Sequence, residues 1–137
     1  MSQTQSLSDV PTLFRVTVEV GNLEEAATFY ARLLNTPGTR HPGARQYFQC
    51  GSVIVVIIDP TQGGMAPTPG PKSLYFAVRD VDAVHQRAAE LNALAPYTVH
   101  GESAADVLVR PWGERCFYVA DPWGNDLCFV EEGTLYS

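Results

Sequence analysis

The chain has 137 residues, about the length of one domain, and its 15 acidic and 9 basic side chains give a net charge of −6 at pH 7. This acidic balance, without a lysine or arginine cluster, argues against nucleic-acid binding, and no apolar stretch is long enough for a membrane span. Its 3 widely spaced cysteines do not make a disulfide framework, so we expect a reduced, cytoplasmic protein that binds neither nucleic acid nor membrane.

The first predicted element is a strand that leads into a helix over residues 13–34. Alternating side chains predict the strand, Gly21 ends it, and Asn22 with Glu25 three residues later has the pattern of a capping box. The apolar side chains of the helix share one side, as packing on a sheet requires: Leu23, Ala26, Tyr30 and Leu33. We therefore expect this helix to be a packing element.

A hairpin and a long connection follow this helix. The segments 45–50 and 52–58 are rich in strand-forming residues and are separated by Gly51, so they predict two antiparallel strands. Residues 61–71 are rich in glycine and proline and hold neither a helix nor a central strand. They predict a linker.

The strand and helix are then repeated over residues 73–91, 58 positions further along the chain. Val78 takes the place of Val20, and Asp80 is the expected helix cap. Weaker strand patterns follow around 97–101 and 105–110, and clear ones at 115–121 and 126–132 flank the turn PWGN. A repeat of this length indicates one supersecondary unit used twice, with a site expected where the copies meet.

This order of elements, with the stretch GNLEEAATFYARLL in the first helix and the turn ADPWGN near the end, resembles the vicinal oxygen chelate superfamily over about residues 12–133. That superfamily includes glyoxalase I, extradiol dioxygenases, fosfomycin-modifying enzymes and bleomycin-resistance proteins. The resemblance implies an α+β fold of two tandem βαβββ modules, whose curved mixed sheets surround a cupped cavity, and it implies a homodimer. We expect a single domain over residues 1–137, with module one at about 12–60, the linker at 61–71 and module two at about 72–133.

The resemblance also implies where the metal ligands of the family's enzymes would stand. These positions hold Arg15, Ser73 and Cys128, with a fourth near Val55. A guanidinium stays protonated and repels a metal ion, and a single thiolate does not make a metal site. We therefore expect no metal and no cofactor, and the catalytic residues, if any, stay unidentified.

The three histidines do not supply the missing ligands. His41 and His100 fall in predicted loops and His85 on the flank of the second helix, at spacings that indicate no shared centre. A solvated side chain is the expected state of each.

Strand alternation selects the first candidate ligand-binding residues. Arg15, Thr17 and Glu19 share one face of the first strand, opposite an apolar face that is expected to meet the helix, and Ser73 and Tyr75 are their counterparts in the second module. Arg15 requires a partner, and two alternatives are open. The partner is either an internal acid such as Glu19 or Glu131, or an anionic ligand.

Five further candidates complete the set: Tyr47, Trp112, Arg115, Phe117 and Cys128. The aromatic rings offer apolar area to a flat ligand. Alternation alone does not decide which face of the strand with Arg115 and Phe117 looks inward, and the resemblance favours Arg115 near the groove. Cys128 would be a nucleophile only if a neighbouring base or cation lowered its pKa, so an inert buried thiol is the simpler expectation.

Two functions are compatible with these residues. The first is a metal-free protein that binds a small polar or aromatic compound in the cup between the modules. The alternative is an enzyme of the same superfamily, a lyase, isomerase or dioxygenase, with or without a metal. In both, the partners are a small-molecule ligand and a second copy of the chain.

Overall fold

The structure is a computed structural model that describes residues 10–135, so residues 1–9 and 136–137 of the expected domain lie outside the described part. The helices and strands follow one another in this order: β1 (Arg15–Glu19), α1 (Leu23–Leu34), β2 (Thr39–His41), β3 (Arg45–Cys50), β4 (Val53–Ile58), β5 (Leu74–Val78), α2 (Val81–Glu90), β6 (Thr98–Val99), β7 (Glu102–Ser103), β8 (Leu108–Val109), β9 (Arg115–Ala120) and β10 (Asp126–Glu131). A short 3-10 turn, Pro60–Gly63, opens the linker.

Two four-stranded sheets carry the same strand order. The first sheet runs β1-β4-β3-β2 and the second runs β5-β10-β9-β8, while β6 and β7 form a small separate hairpin. In each sheet the strand before the helix pairs in parallel with the last strand of the unit, and the remaining pairs are antiparallel. The sheets are mixed and open, which confirms the predicted α+β fold built from one unit used twice.

Both helices begin at the caps expected from the sequence. The Asn22 side chain accepts a hydrogen bond from the Glu25 amide at 3.0 Å, and the Asp80 side chain accepts one from the Ala83 amide at 3.0 Å. These bonds satisfy amides that have no partner within the helix. The predicted apolar stripe of α1 is buried, as are Val81, Val84 and Ala88 of α2.

One core lies between the helices and the helix-facing sides of both sheets. Its buried members come from both modules: Val18, Val20, Phe29, Tyr30, Leu33, Phe48, Val55, Ile57, Val81, Val84, Phe117, Val119, Leu127 and Phe129. Every strand alternates, so each sheet also has a side turned away from the helices. We call these sides the first free face, on the first sheet, and the second free face, on the second sheet.

The ADPWGN turn ties the two modules together. Asp121 accepts a hydrogen bond from the Tyr30 hydroxyl of α1 at 2.7 Å, and the Asn125 side chain donates to the Glu19 carbonyl at 2.9 Å. The linker joins the same point, because the Gly70 amide donates to the Asn125 side chain at 2.8 Å. The two sequence stretches most typical of the family thus form one structural joint.

Within residues 10–135 there is no helix with the length and apolar character needed to cross a membrane.

Candidate functional site

The first free face is polar and open to solvent. Arg15 and Thr17 on β1 are exposed, Glu19 is half-buried, and Tyr47 projects from β3 on the same side. Alternation along β1 therefore grouped its three candidate side chains correctly. Strand β4 lies between β1 and β3. Its residue Val56 pairs with Thr17 of β1 on one side and with Tyr47 of β3 on the other.

Arg15 crosses β4 to reach Tyr47. Its Nη1 donates a hydrogen bond to the Tyr47 hydroxyl oxygen at 3.0 Å, and its guanidinium lies 5.0 Å from the centre of the Phe14 ring. Val56 is buried although it lies on the free face. The row of Arg15 and Tyr47 side chains above it accounts for that burial, since long side chains cover apolar surface with their stems.

Two residues that were not selected from the sequence complete this group. Arg45 lies two residues before Tyr47 on the same face of β3, and the His41 ring lies 4.0 Å from the Tyr47 ring, centre to centre. Hydrogen bonding from Arg45, followed by that from Arg15, lowers the pKa of Tyr47 despite partial burial. The alternation Arg45, Tyr47 was visible in the sequence, whereas His41 joins only through the pairing of β2 with β3.

The acidic partner considered for Arg15 is not observed. Glu19 accepts a hydrogen bond from the Thr68 amide at 2.8 Å, and Glu131 pairs with Arg115 at 2.7 Å. Across residues 10–135, no carboxylate lies within 4.0 Å of the Arg15 or Arg45 guanidinium.

The second free face is largely covered. Cys116, Tyr118, Cys128 and Val130 are buried beneath the segment 95–104, in a small cluster with Ala95 and Ala104. Cys128 pairs in register with Tyr75 on one side and Tyr118 on the other. Tyr75 remains 61% exposed, with its ring edge-on to Tyr118 at 6.5 Å.

A buried arginine holds this covering segment in place. Arg110 donates to the carbonyl oxygens of Ser103 at 3.1 Å, Asp106 at 2.8 Å and Cys116 at 3.1 Å. Hydrogen bonding from the Cys128 thiol, with a further contribution from Arg110, lowers the pKa of Cys116 to about 7. The same thiol contact, together with burial, raises the pKa of Cys128. The Cys128 thiol is fully buried, and both of these effects raise its pKa.

Arg115 and Phe117 lie on the helix side of β9 and not on a free face. Arg115 pairs with Glu131 at 2.7 Å and with Asp82 of α2 at 3.2 Å. Phe117 is fully buried and stacks on Phe129 with ring centres 5.7 Å apart. The strand has two faces and α2 covers the one with these residues, so both leave the candidate site.

Ser73, Tyr75 and Trp112 line two cavities elsewhere. A cleft of about 720 Å³ between the modules includes Ser73 and Tyr75 beside mainly apolar walls from β1, β5 and both helices. A second cavity of about 440 Å³ lies beside Tyr75 and Trp112. The Trp112 indole donates to Glu114 at 2.8 Å. The ten candidates therefore do not form one site.

The residues at the metal positions of the family do not fit a divalent ion. Arg15 is a cation bonded to Tyr47, Ser73 borders the cleft, and Cys128 is buried against a second thiol. Val55 faces the core. No group of three or more His, Cys, Asp or Glu side chains is placed around a common point within residues 10–135. A catalytic metal needs several such donors with an open position.

One family model matches most of the chain, and solved structures share its fold. The model of the Glyoxalase/Bleomycin resistance protein/Dioxygenase superfamily matches residues 12–129. A glyoxalase/bleomycin resistance protein from Albidiferax ferrireducens superposes with a TM-score of 0.69 at 23% identity, covering 88% of this chain and 98% of that one. A lactoylglutathione lyase from Agrobacterium tumefaciens gives 0.62 at 20% identity, covering 92% and 96%. Oxidase ChaP-H2 gives 0.69 at 22% identity, covering 90% and 94%. No curated protein matches the chain.

Proposed function

The chain belongs to the Glyoxalase/Bleomycin resistance protein/Dioxygenase superfamily, and we propose that within it this protein binds a small polar or aromatic compound without a metal. The observation that carries the proposal is the hydrogen bond of the Arg15 guanidinium to Tyr47, at the point where the resemblance implies a metal ligand. A site built in this way offers hydrogen-bond donors and aromatic surface to an organic molecule. The first free face is its location.

The chemistry of the donors supports binding without a metal. A guanidinium is protonated at all physiological pH values and has no lone pair to give to a metal ion. Two of them stand on the first free face, and each would repel a divalent cation. The cysteine at the third ligand position is fully buried on the other sheet. These features favour a binding protein over a metalloenzyme.

A homodimer is part of the proposal. Strands β1 and β5 are edge strands of their sheets, and large apolar side chains beside them are exposed, with Leu13 66%, Phe14 55% and Tyr75 61% accessible. Free strand edges next to apolar surface favour association with another chain. Light scattering at micromolar concentration tests this, and a monomer would contradict it.

One observation favours an enzyme as the second candidate. The Tyr47 hydroxyl accepts a hydrogen bond from Arg15 at 3.0 Å, and the neighbouring guanidiniums lower its pKa, so it is a candidate proton donor. A lyase or isomerase that moves a proton could use such a group, with Arg15 and Arg45 stabilising negative charge. Solved relatives of the same fold include proteins named as a lyase and an oxidase.

Metal analysis of the purified protein, together with thermal-shift measurements against Zn²⁺, Ni²⁺, Fe²⁺ and Mn²⁺, separates the two classes. We expect less than stoichiometric metal and no stabilisation by these ions, while aromatic small molecules raise the melting temperature. Stoichiometric metal whose loss abolishes small-molecule binding would refute the metal-free proposal. The same measurements on an Arg15→Gln variant provide the control. Metal bound at a site elsewhere would be retained in this variant, whereas binding of the small molecule at Arg15 would be weakened.

A further inference from the structure

The first free face holds two cations close to one neutral oxygen. Arg15 on β1 donates to the Tyr47 hydroxyl oxygen at 3.0 Å, and Arg45, which shares a face of β3 with Tyr47, stands near enough to lower the pKa of that hydroxyl. Two guanidiniums drawn to one atom repel each other, and a neutral phenol does not compensate their charge. An oxyanion at the same point would accept from both.

Five other arginines of the protein have a carboxylate or backbone partner. Arg40, Arg79 and Arg115 lie within 4.0 Å of carboxylates. Arg87 and Arg110 donate to backbone carbonyls. In a chain with net charge −6, acidic partners are not scarce. Arg15 and Arg45 nonetheless face solvent together, without a carboxylate within 4.0 Å among residues 10–135.

The surroundings of the two cations are flat and partly apolar. The His41 and Tyr47 rings lie nearly against each other, with centres 4.0 Å apart and planes inclined by 32°. Phe14 lies beside Arg15, and Ile54 and Ile58 of β4 occupy the same free face. A planar organic group can lie against this surface while its acidic end meets the guanidiniums.

We propose that Arg15, Arg45, Tyr47 and His41 form a binding surface for the carboxylate of a flat aromatic or conjugated acid. This inference rests on the proposed function and specifies its ligand class. The two guanidiniums hold the carboxylate oxygens, and the rings of Tyr47 and His41 cover the plane of the ligand. The Tyr47 hydroxyl, whose oxygen accepts from Arg15, donates its own hydrogen to the ligand. Arg45 and His41 thereby join Arg15 and Tyr47 as ligand-binding residues.

Isothermal titration calorimetry with matched probes tests the inference. Benzoate carries the expected carboxylate, benzamide has the same shape without the charge, and inorganic phosphate carries charge without the ring. We expect benzoate to bind at least about tenfold more tightly than benzamide or phosphate. A difference in affinity of about tenfold is the effect expected when one charge-assisted contact is lost. Raising the salt concentration should weaken benzoate binding and leave benzamide binding unchanged, because exposed charges are screened.

Matched variants identify the residues responsible. Arg45→Gln should weaken benzoate binding about tenfold, Arg15→Gln similarly, and the double variant should bind benzoate and benzamide alike. Arg79→Gln, on the other module and highly exposed, should leave both affinities unchanged. Circular dichroism melts report whether each variant is folded, and the single conservative substitutions keep the test valid if the double variant is not.

Three results would overturn the inference. Equal affinities for benzoate and benzamide, both retained in Arg45→Gln, would show binding without a carboxylate site and leave the proposed function intact. If phosphate bound as tightly as benzoate, the surface would recognise an anion in general, and the proposal of a flat aromatic or conjugated acid would be refuted. By contrast, a failure of the proposed function would appear as bound metal at stoichiometric amounts, which the metal analysis detects independently of these probes. Absence of any benzoate binding at millimolar concentration would also refute the inference.

Discussion

The two sheets have the same strand order, but their free faces differ in what covers them. On the first, Arg15, Arg45 and Tyr47 stand open to solvent. On the second, the area over β9 and β10 is covered by the segment 95–104, held through Arg110, and the thiols there are buried, while Tyr75 on β5 stays 61% exposed. A repeated unit thus gives one open surface rich in hydrogen-bond donors and one surface whose centre is an additional apolar cluster.

Thiol reactivity gives the largest expected contrast. Cys116 has a pKa of about 7, so near neutral pH it is the most ionised of the three cysteines, yet it and Cys128 are fully buried. We expect Cys50, half-buried beside the inter-module cleft, to react with a thiol-directed disulfide reagent about a thousandfold faster than the other two. Cys50→Ser should abolish the fast phase. A second fast thiol in native protein would show that the covering segment opens readily.

A matched pair of arginine substitutions compares the two faces in stability. Arg110→Gln removes donors from several buried carbonyl groups, so the free energy of unfolding should fall by about 3 kcal/mol. Arg45→Gln changes an exposed side chain and should leave it nearly unchanged. Urea denaturation measures both. If Arg110→Gln proved as harmless as Arg45→Gln, the second free face would not depend on this arginine for its cover.

The pKa values of the tyrosines of the two faces are shifted in opposite directions from that of a free phenol. Guanidinium hydrogen bonds lower the pKa of Tyr47, whereas burial raises the pKa of Tyr97 and Tyr118. In an alkaline ultraviolet titration, Tyr47→Phe should remove the earliest phenolate signal and Tyr118→Phe should leave it in place. A buried phenol that keeps its proton stabilises the fold below its unfolded pKa of about 10, so stability should decline as the pH rises beyond that value. An early signal that survives in Tyr47→Phe would contradict the assignment.

Tyr75 gives the smallest expected effect and the most direct test of where the ligand sits. It is exposed on the second module and borders both cavities. If the ligand lies on the first free face alone, Tyr75→Ala should change benzoate affinity by less than about twofold. A tenfold loss would instead show that the second module, of the same chain or of a second copy, contributes to the site. Tyr47→Phe provides the comparison on the first face.

Local sequence patterns were sufficient for the elements and for part of the candidate site. The caps Asn22 and Asp80, the apolar stripes and the repeat predicted the architecture, and alternation placed Arg15 and Thr17 on the correct side of β1. These local patterns did not predict which distant strands pair or in which register. His41 reaches Tyr47 only because β2 pairs with β3 in one particular register.

The remaining candidates depended on which face of a strand becomes covered. Alternation showed that Arg115 and Phe117 share a face of β9, but the docking of α2 decided that this face belongs to the core. Similarly, the burial of Cys128 follows from the segment 95–104, whose strands are too short to be read clearly from their composition.

The sequence by itself determined the two strand-helix units, their caps, the linker and the presence of an arginine where the family's enzymes place a metal ligand. These features depend on neighbours within a few residues, which periodicity and capping chemistry describe. The tertiary structure decided that Arg45 and His41 lie beside Tyr47 with Arg15, and that one free face stays open while the centre of the other is covered. The reason is physical: side-chain alternation fixes which residues share a face, but only packing between distant segments fixes which face meets water.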